Sequence, residues 1–162
     1  FAEIKAAGNG FKLERRFFRE EAESGGKLTR KEIQPGDVLH VGDKIIVEYR
    51  IHNDENRSFV RLTAPREAAF RPVDQLSGYY GWWMGPLRVD GWYSFTPQGY
   101  RDVKTDRTEY MFDSYPEENT VITEEFFVTQ SGTFTAPVPV IESLYAPHYR
   151  ANSAYPGDVG VR

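Results

Sequence analysis

The 162-residue sequence contains no cysteine. That absence excludes a disulfide framework, a thiolate metal site and a cysteine nucleophile. It is compatible with an oxidising envelope compartment without requiring one. No run of about 18 apolar residues occurs, so nothing reads as a membrane-spanning helix. Histidine is sparse, and His40, His52 and His148 stand far apart without the spacing of metal ligands. There is no Gly-x-Ser-x-Gly elbow. The acidic pairs Glu117-Glu118 and Glu124-Glu125 are adjacent in sequence, so in a strand their side chains point to opposite faces and cannot act as an acid/base couple. No nucleophile, base and orienting group assemble from these residues, so we expect neither an enzyme nor a cofactor or metal. Acids and bases number 24 and 20, interspersed along a chain of net charge −4. With no basic stripe to follow a phosphate backbone, nucleic acid is not expected as a partner. The chain opens at Phe1, with no charged and then apolar leader. The expectation is a C-terminal fragment of a much larger protein whose targeting signal lies elsewhere.

What is present is a β-forming composition, 40% hydrophobic and 15% aromatic. A chain of this size hides roughly 70% of its unfolded surface, so residues 1–162 are expected to form a single domain. Gly10 to Arg19 reads as a first strand and Lys27 to Ile33 as a second, with a Ser24-Gly25-Gly26 loop between them. Val38 to Val41, the Gly42-Asp43 turn and Lys44 to His52 follow. Ile45, Val47, Tyr49 and Ile51 there share one face at period two. Phe59 to Ala64 is the next strand, and Pro65-Arg66-Glu67 marks a chain reversal between sheets. Short alternating runs bounded by Gly, Pro, Asn and Asp predict an all-β fold, an antiparallel β-sandwich of about seven strands.

Ser77 to Tyr100 interrupts this rhythm. It holds Tyr79, Tyr80, Trp82, Trp83, Trp92 and Tyr93 among glycines and prolines. The pattern predicts a long aromatic loop, inserted at 77–100, rather than a regular strand pair. Connections of that length inside compact domains are packed down by their own side chains or carry function. Three readings stay open. The rings cover one face or end of the sandwich, they dock a neighbouring domain, or they bind carbohydrate, with Asp90 and Gln98 at hand.

The C-terminal third is the most patterned part. Arg107 to Asp113 alternates, and Thr120 to Gln130 is β-branched and aromatic. After Ser131-Gly132, the stretch Thr133 to Leu144 carries Pro137 and Pro139. Missing backbone donors predict an edge strand or an irregular approach to one. By local physics the corner Leu144-Tyr145-Ala146-Pro147 is a strand end, with Tyr145 half buried and Pro147 stopping the strand.

Here the sequence resembles a known family. Asp106-Arg107, Ser131-Gly132 through Pro137, Leu144-Tyr145 with Pro147, and Ser153 are similar to the C-terminal end of bacterial α2-macroglobulins. Gly36-Asp37, Val41 to Val47, Phe59 to Val73 and Leu76 to Tyr79 fit the same domain in the same order, most like versions from Bacteroides-type bacteria. The resemblance runs from about residue 30 to the end of the sequence and implies a macroglobulin or fibronectin type III-like sandwich.

In that family a protease cuts a bait region, the molecule rearranges, and a Cys–Gln thioester in a separate helical domain reacts with the attacker. The last domain docks on the thioester domain and shields it from water. The resemblance thus implies a non-catalytic part of a protease inhibitor in the periplasm or cell envelope. Its partners would be the thioester domain, neighbouring macroglobulin domains and, through the whole protein, proteases. Relatives often carry Met-Tyr at the shielding pair, and the matching positions here are Leu144 and Tyr145. Leucine keeps the apolar bulk and loses the flexible thioether. Lacking cysteine, this chain cannot itself supply the thioester.

Overall fold

The computed structural model describes residues 5–80, 87–89, 92–94, 98–154 and 159–162, with the backbone alone at Tyr80, 87–89 and 92–94. In chain order the strands are β1 (Ala7–Asn9), β2 (Phe11–Ala22), β3 (Leu28–Glu32), β4 (Val38–Leu39), β5 (Lys44–Asn53) and β6 (Arg57–Pro65). Next come β7 (Phe70–Pro72), β8 (Gly78–Tyr80), β9 (Leu87–Val89), β10 (Trp92–Ser94), β11 (Gly99–Val103) and β12 (Arg107–Tyr115). The chain finishes with β13 (Asn119–Val128), β14 (Gly132–Phe134), β15 (Val140–Ser143), β16 (Arg150–Asn152) and β17 (Val159–Val161).

Two antiparallel sheets face each other. One runs β1-β16-β15-β6-β12-β11-β8 and the other β3-β2-β5-β13-β7. A small sheet, β14-β17-β4, closes one end, and β9 and β10 form a separate hairpin. The alternation seen in the sequence generates the core. Leu13, Ile45, Val47, Tyr49, Ile51, Ile122 and Phe126 of the five-stranded sheet meet Val60, Leu62, Ala64, Tyr110, Phe112 and Ile141 of the other. Successive residues of a strand point to opposite faces, so one period-two run from each strand suffices to fill the interior.

Two boundaries differ from the sequence reading. The single strand expected over Thr133 to Leu144 is two. β14 pairs with β17 at the edge of the small sheet, and β15 sits inside the large sheet between β6 and β16. Pro137 and Pro139 lie in the connection between them, where no ladder donor is needed. The connection expected over 77–100 also contributes strands. β8 adds to β11 as the edge of the large sheet, with Tyr79 opposite Tyr100. The reversal read at Pro65-Arg66-Glu67 is present, since β6 belongs to one sheet and β7 to the other.

The interior is not wholly apolar. Glu124 of β13 points inward at 3% exposure, opposite in direction to Glu125, and accepts a 2.6 Å hydrogen bond from Thr108 Oγ1 of the facing sheet. Arg101 Nη2 donates to the same carboxylate at 3.1 Å, and Arg66 Nη2 to the Thr108 hydroxyl at 3.0 Å. This cluster joins the two sheets through charge-assisted hydrogen bonds, which fix orientation more tightly than apolar contact does.

Candidate functional site

The corner after β15 is built from backbone pairing outward. β15 zips onto β6 in the register Val140–Thr63 to Ser143–Val60, and the next amide, Leu144 N–H, donates to the Phe59 carbonyl at 2.8 Å. The chain then turns. Tyr149 N–H donates to the Ala146 carbonyl at 3.0 Å, and Ser143 N–H to the Tyr149 carbonyl at 3.0 Å. The Leu144–Pro147 loop is therefore closed at its base on both sides.

Side chains lock that base. The Arg57 guanidinium lies over the Tyr149 ring at 4.1 Å and over Phe11 at 5.2 Å. It also donates to Asn53 Oδ1 at 3.1 Å and to Asp54 Oδ1 at 2.7 Å. Stacked and hydrogen-bonded together, an arginine loses its freedom and becomes a rigid strut. The Asn9 side-chain amide donates to the His148 carbonyl at 3.0 Å, tying β1 to the same turn.

Above this base Tyr145 is 80% exposed. The half-buried strand end expected from local pattern is thus corrected: Ser143 ends the strand, and Tyr145 stands beyond it on the turn, where no facing sheet covers it. Among the described residues its ring neighbour is Phe59, edge to face at 4.9 Å and 77°. Leu144 is partly buried beside it. Phe59 has a φ of +56°, the one positive value at a non-glycine residue among those described. The β6–β12 ladder accordingly skips the Phe59–Asp113 pair, while Val60–Phe112 and Ser58–Ser114 remain in register. Left-handed backbone at an aromatic residue costs about 1–3 kcal/mol and persists only where its surroundings enforce it. Nothing in the sequence signalled this, because phenylalanine favours ordinary extended backbone.

The aromatic segment divides. Tyr79 is 80% exposed and meets Tyr100 edge to face at 5.2 Å, beside an open cleft that also includes Gln98, Asn56 and Asp113. Trp82, Trp83 and Asp90 lie outside the described residues, and for Tyr80, Trp92 and Tyr93 only the strand backbone is described. β10 runs beside β13. The outward-facing Ile46, Glu48 and Arg50 of β5 and Val121 of β13 are each no more than 5% exposed. The hairpin is thus held against the five-stranded sheet rather than standing free.

The histidines take local roles. His52 Nδ1 lies 2.6 Å from Asn119 Oδ1, His148 rests on the Tyr149 ring, and the His40 amide donates to Asp43 Oδ2 at 2.9 Å.

One titratable group is unusual. Glu67, in the crossover between the sheets, is 4% exposed, and among the described residues neither carboxylate oxygen has a hydrogen-bond partner. Burial raises its pKa to about 7, with Arg15 opposing the rise. Burial likewise lowers the Arg15 guanidinium and raises Tyr49, both of which border the same small cavity. This is an internal feature and does not reach the corner.

Residues 10–148 match a family model described as the bacterial alpha-2-macroglobulin MG10 domain. No curated protein matches the sequence. Among solved structures, the chain is similar to native alpha-2-macroglobulin from Escherichia coli spanning domain MG7 to the C-terminus. That match has a TM-score of 0.72 and 16% identity over 97% of this chain and 24% of that one. Escherichia coli alpha-2-macroglobulin activated by porcine elastase gives a TM-score of 0.70 and 16% identity over 98% of this chain and 14% of that one. Salmonella alpha-2-macroglobulin reacted with methylamine gives 0.67 and 18% identity over 97% and 9%. At such identities the likeness is one of fold. The chain spans between 9% and 24% of the length of these relatives.

Proposed function

The chain belongs to the bacterial alpha-2-macroglobulin MG10 domain family, and we propose that it is a non-catalytic docking and shielding module. In this reading residues 1–162 are a single C-terminal domain of a larger protease-trapping protein of the periplasm or cell envelope. Leu144 and Tyr145 press on the parent's thioester domain and keep water from its reactive bond. The observation that carries this is an 80% exposed tyrosine held on a turn whose base is fixed by hydrogen bonds and a stacked arginine. A large aromatic ring presented rigidly to solvent gives contact area with little ordering cost on docking. An acyl bond prone to hydrolysis is protected by excluding water from around it.

The chemistry being protected lies elsewhere, since the chain has no cysteine. Support for a thioester in the parent comes from the relative solved after reaction with methylamine, an amine that opens such bonds. The exposed Tyr79–Tyr100 pair, 39% exposed at Tyr100, is read as a second contact toward a neighbouring domain. The carbohydrate-binding alternative has less behind it, because the β9–β10 hairpin lies along the sandwich.

The test is the lifetime of the methylamine-reactive group in the full-length parent, for wild type and Tyr145→Ala. Shielding predicts a rate of spontaneous loss several-fold higher in the variant, what losing an aromatic contact of about 0.5–1.5 kcal/mol gives. Equal lifetimes reject it.

A further inference from the structure

Phe59 is 42% exposed, carries the positive φ and has its ring against Tyr145. Neither the core nor the ladder to β12 needs its side chain there. Val60, Leu62 and Ala64 fill the inward face of β6, and the ladder to β12 skips the Phe59 position. An exposed aromatic held in a backbone conformation that disfavours it is a local fault in sequence design unless its direction matters. Its direction is specific. The carbonyl of Phe59 receives the Leu144 amide at 2.8 Å, and its ring meets the Tyr145 ring at 77°. The residue thus holds the corner twice, once through the backbone and once through the side chain.

We propose that Phe59 is a positioning residue for Tyr145, setting that ring upright on the turn so that the two aromatics form one docking knob for the thioester domain. This rests on the docking reading. It adds a residue 86 positions away in sequence, on a different strand, and states what its strained backbone is for. Without Phe59 the Tyr145 side chain loses the ring it leans on and samples several rotamers, so docking must first order it.

Full-length parent proteins carrying Phe59→Gly, Phe59→Tyr, Tyr145→Ala and the Phe59→Gly/Tyr145→Ala pair separate the possibilities. Glycine accepts a φ of +56° freely, so Phe59→Gly removes ring and strain together. The expected result is a three- to tenfold faster loss of the methylamine-reactive group, about the worth of an edge-to-face pair, with no fall in melting temperature. Phe59→Tyr keeps the wild-type lifetime. The double variant decays no faster than Tyr145→Ala, because both changes remove one unit. A wild-type lifetime for Phe59→Gly beside a shortened one for Tyr145→Ala overturns the proposal and leaves the docking reading standing. So does a double variant whose effect is the product of the two.

A readout independent of docking is fluorine NMR of fluorotyrosine placed at position 145 alone. Phe59→Gly is expected to shift and sharpen that resonance as the ring is released. An unchanged resonance overturns the positioning role whatever happens to the thioester. If Tyr145→Ala leaves the lifetime unchanged while the resonance responds to Phe59→Gly, the docking reading fails, the shielding part of the proposal falls with it, and the ring pair alone survives.

Discussion

Glu67 shows how far a single residue can depart from its sequence reading. In sequence it marks a bend after Pro65, and the bend is there. What could not be read is that the turn carries its carboxylate into the interior, beside Arg15, Arg66 and Tyr49 around a small cavity. An unfolded glutamate ionises near 4.5, and the folded one near 7. The folded state therefore binds the proton more tightly, so stability falls as pH rises between those values and is flat beyond them. The loss is at most about 3 kcal/mol. Denaturant midpoints of wild type and Glu67→Gln from pH 5 to 8 check this. The difference between the two proteins should change across that window, and a constant difference means the carboxylate is not buried as described. Tyr145 was legible in the opposite sense. Pattern alone made it a half-buried strand end, and the family resemblance marked it as a contact. Its 80% exposure corrects the first, and the second is the proposal made above. Phe59 was legible in neither way, because a strained φ leaves no trace in residue type.

At the level of elements, the long strands were readable because each alternates over many residues. β5 and β13, paired from Asn119–His52 to Phe127–Lys44, follow the period-two runs seen in the sequence. The failures came where an element is short or a proline intervenes. Thr133 to Leu144 looked continuous, yet its prolines mark the place where the chain leaves the small sheet for the large one. β8 and β11 were hidden in an aromatic, glycine-rich stretch with no alternation. Gly99 explains one of those glycines. A Cβ there would lie 2.6 Å from the Phe112 ring and 2.9 Å from the Met111 carbonyl oxygen. Only glycine lets β11 pair closely with β12 over that ring. Gly99→Ala should destabilise the domain by about 1–3 kcal/mol, as overpacking does, read as a lowered melting temperature. An unchanged melt would mean the two strands are not packed so closely.

For the whole molecule, the sandwich was implied once enough alternating strands had been counted, since half-apolar strands must bury one face against another sheet. Function was not implied in the same way. Composition excluded more than it identified, and the corner gained meaning from the ordered resemblance along the chain. The outer face of β5 is covered, with Glu48 and Arg50 buried. The chain spans 9–24% of its relatives' length, and in the proposed reading it acts through contacts with the rest of the parent. In the proposed reading the Tyr145 corner touches the thioester domain before activation. A photoreactive amino acid at position 145 of the full-length protein tests it most directly. Irradiation of the uncleaved protein should join this corner to the thioester domain, and protease cleavage should abolish the link. Cross-links only to another domain, or a yield unaltered by cleavage, would contradict it.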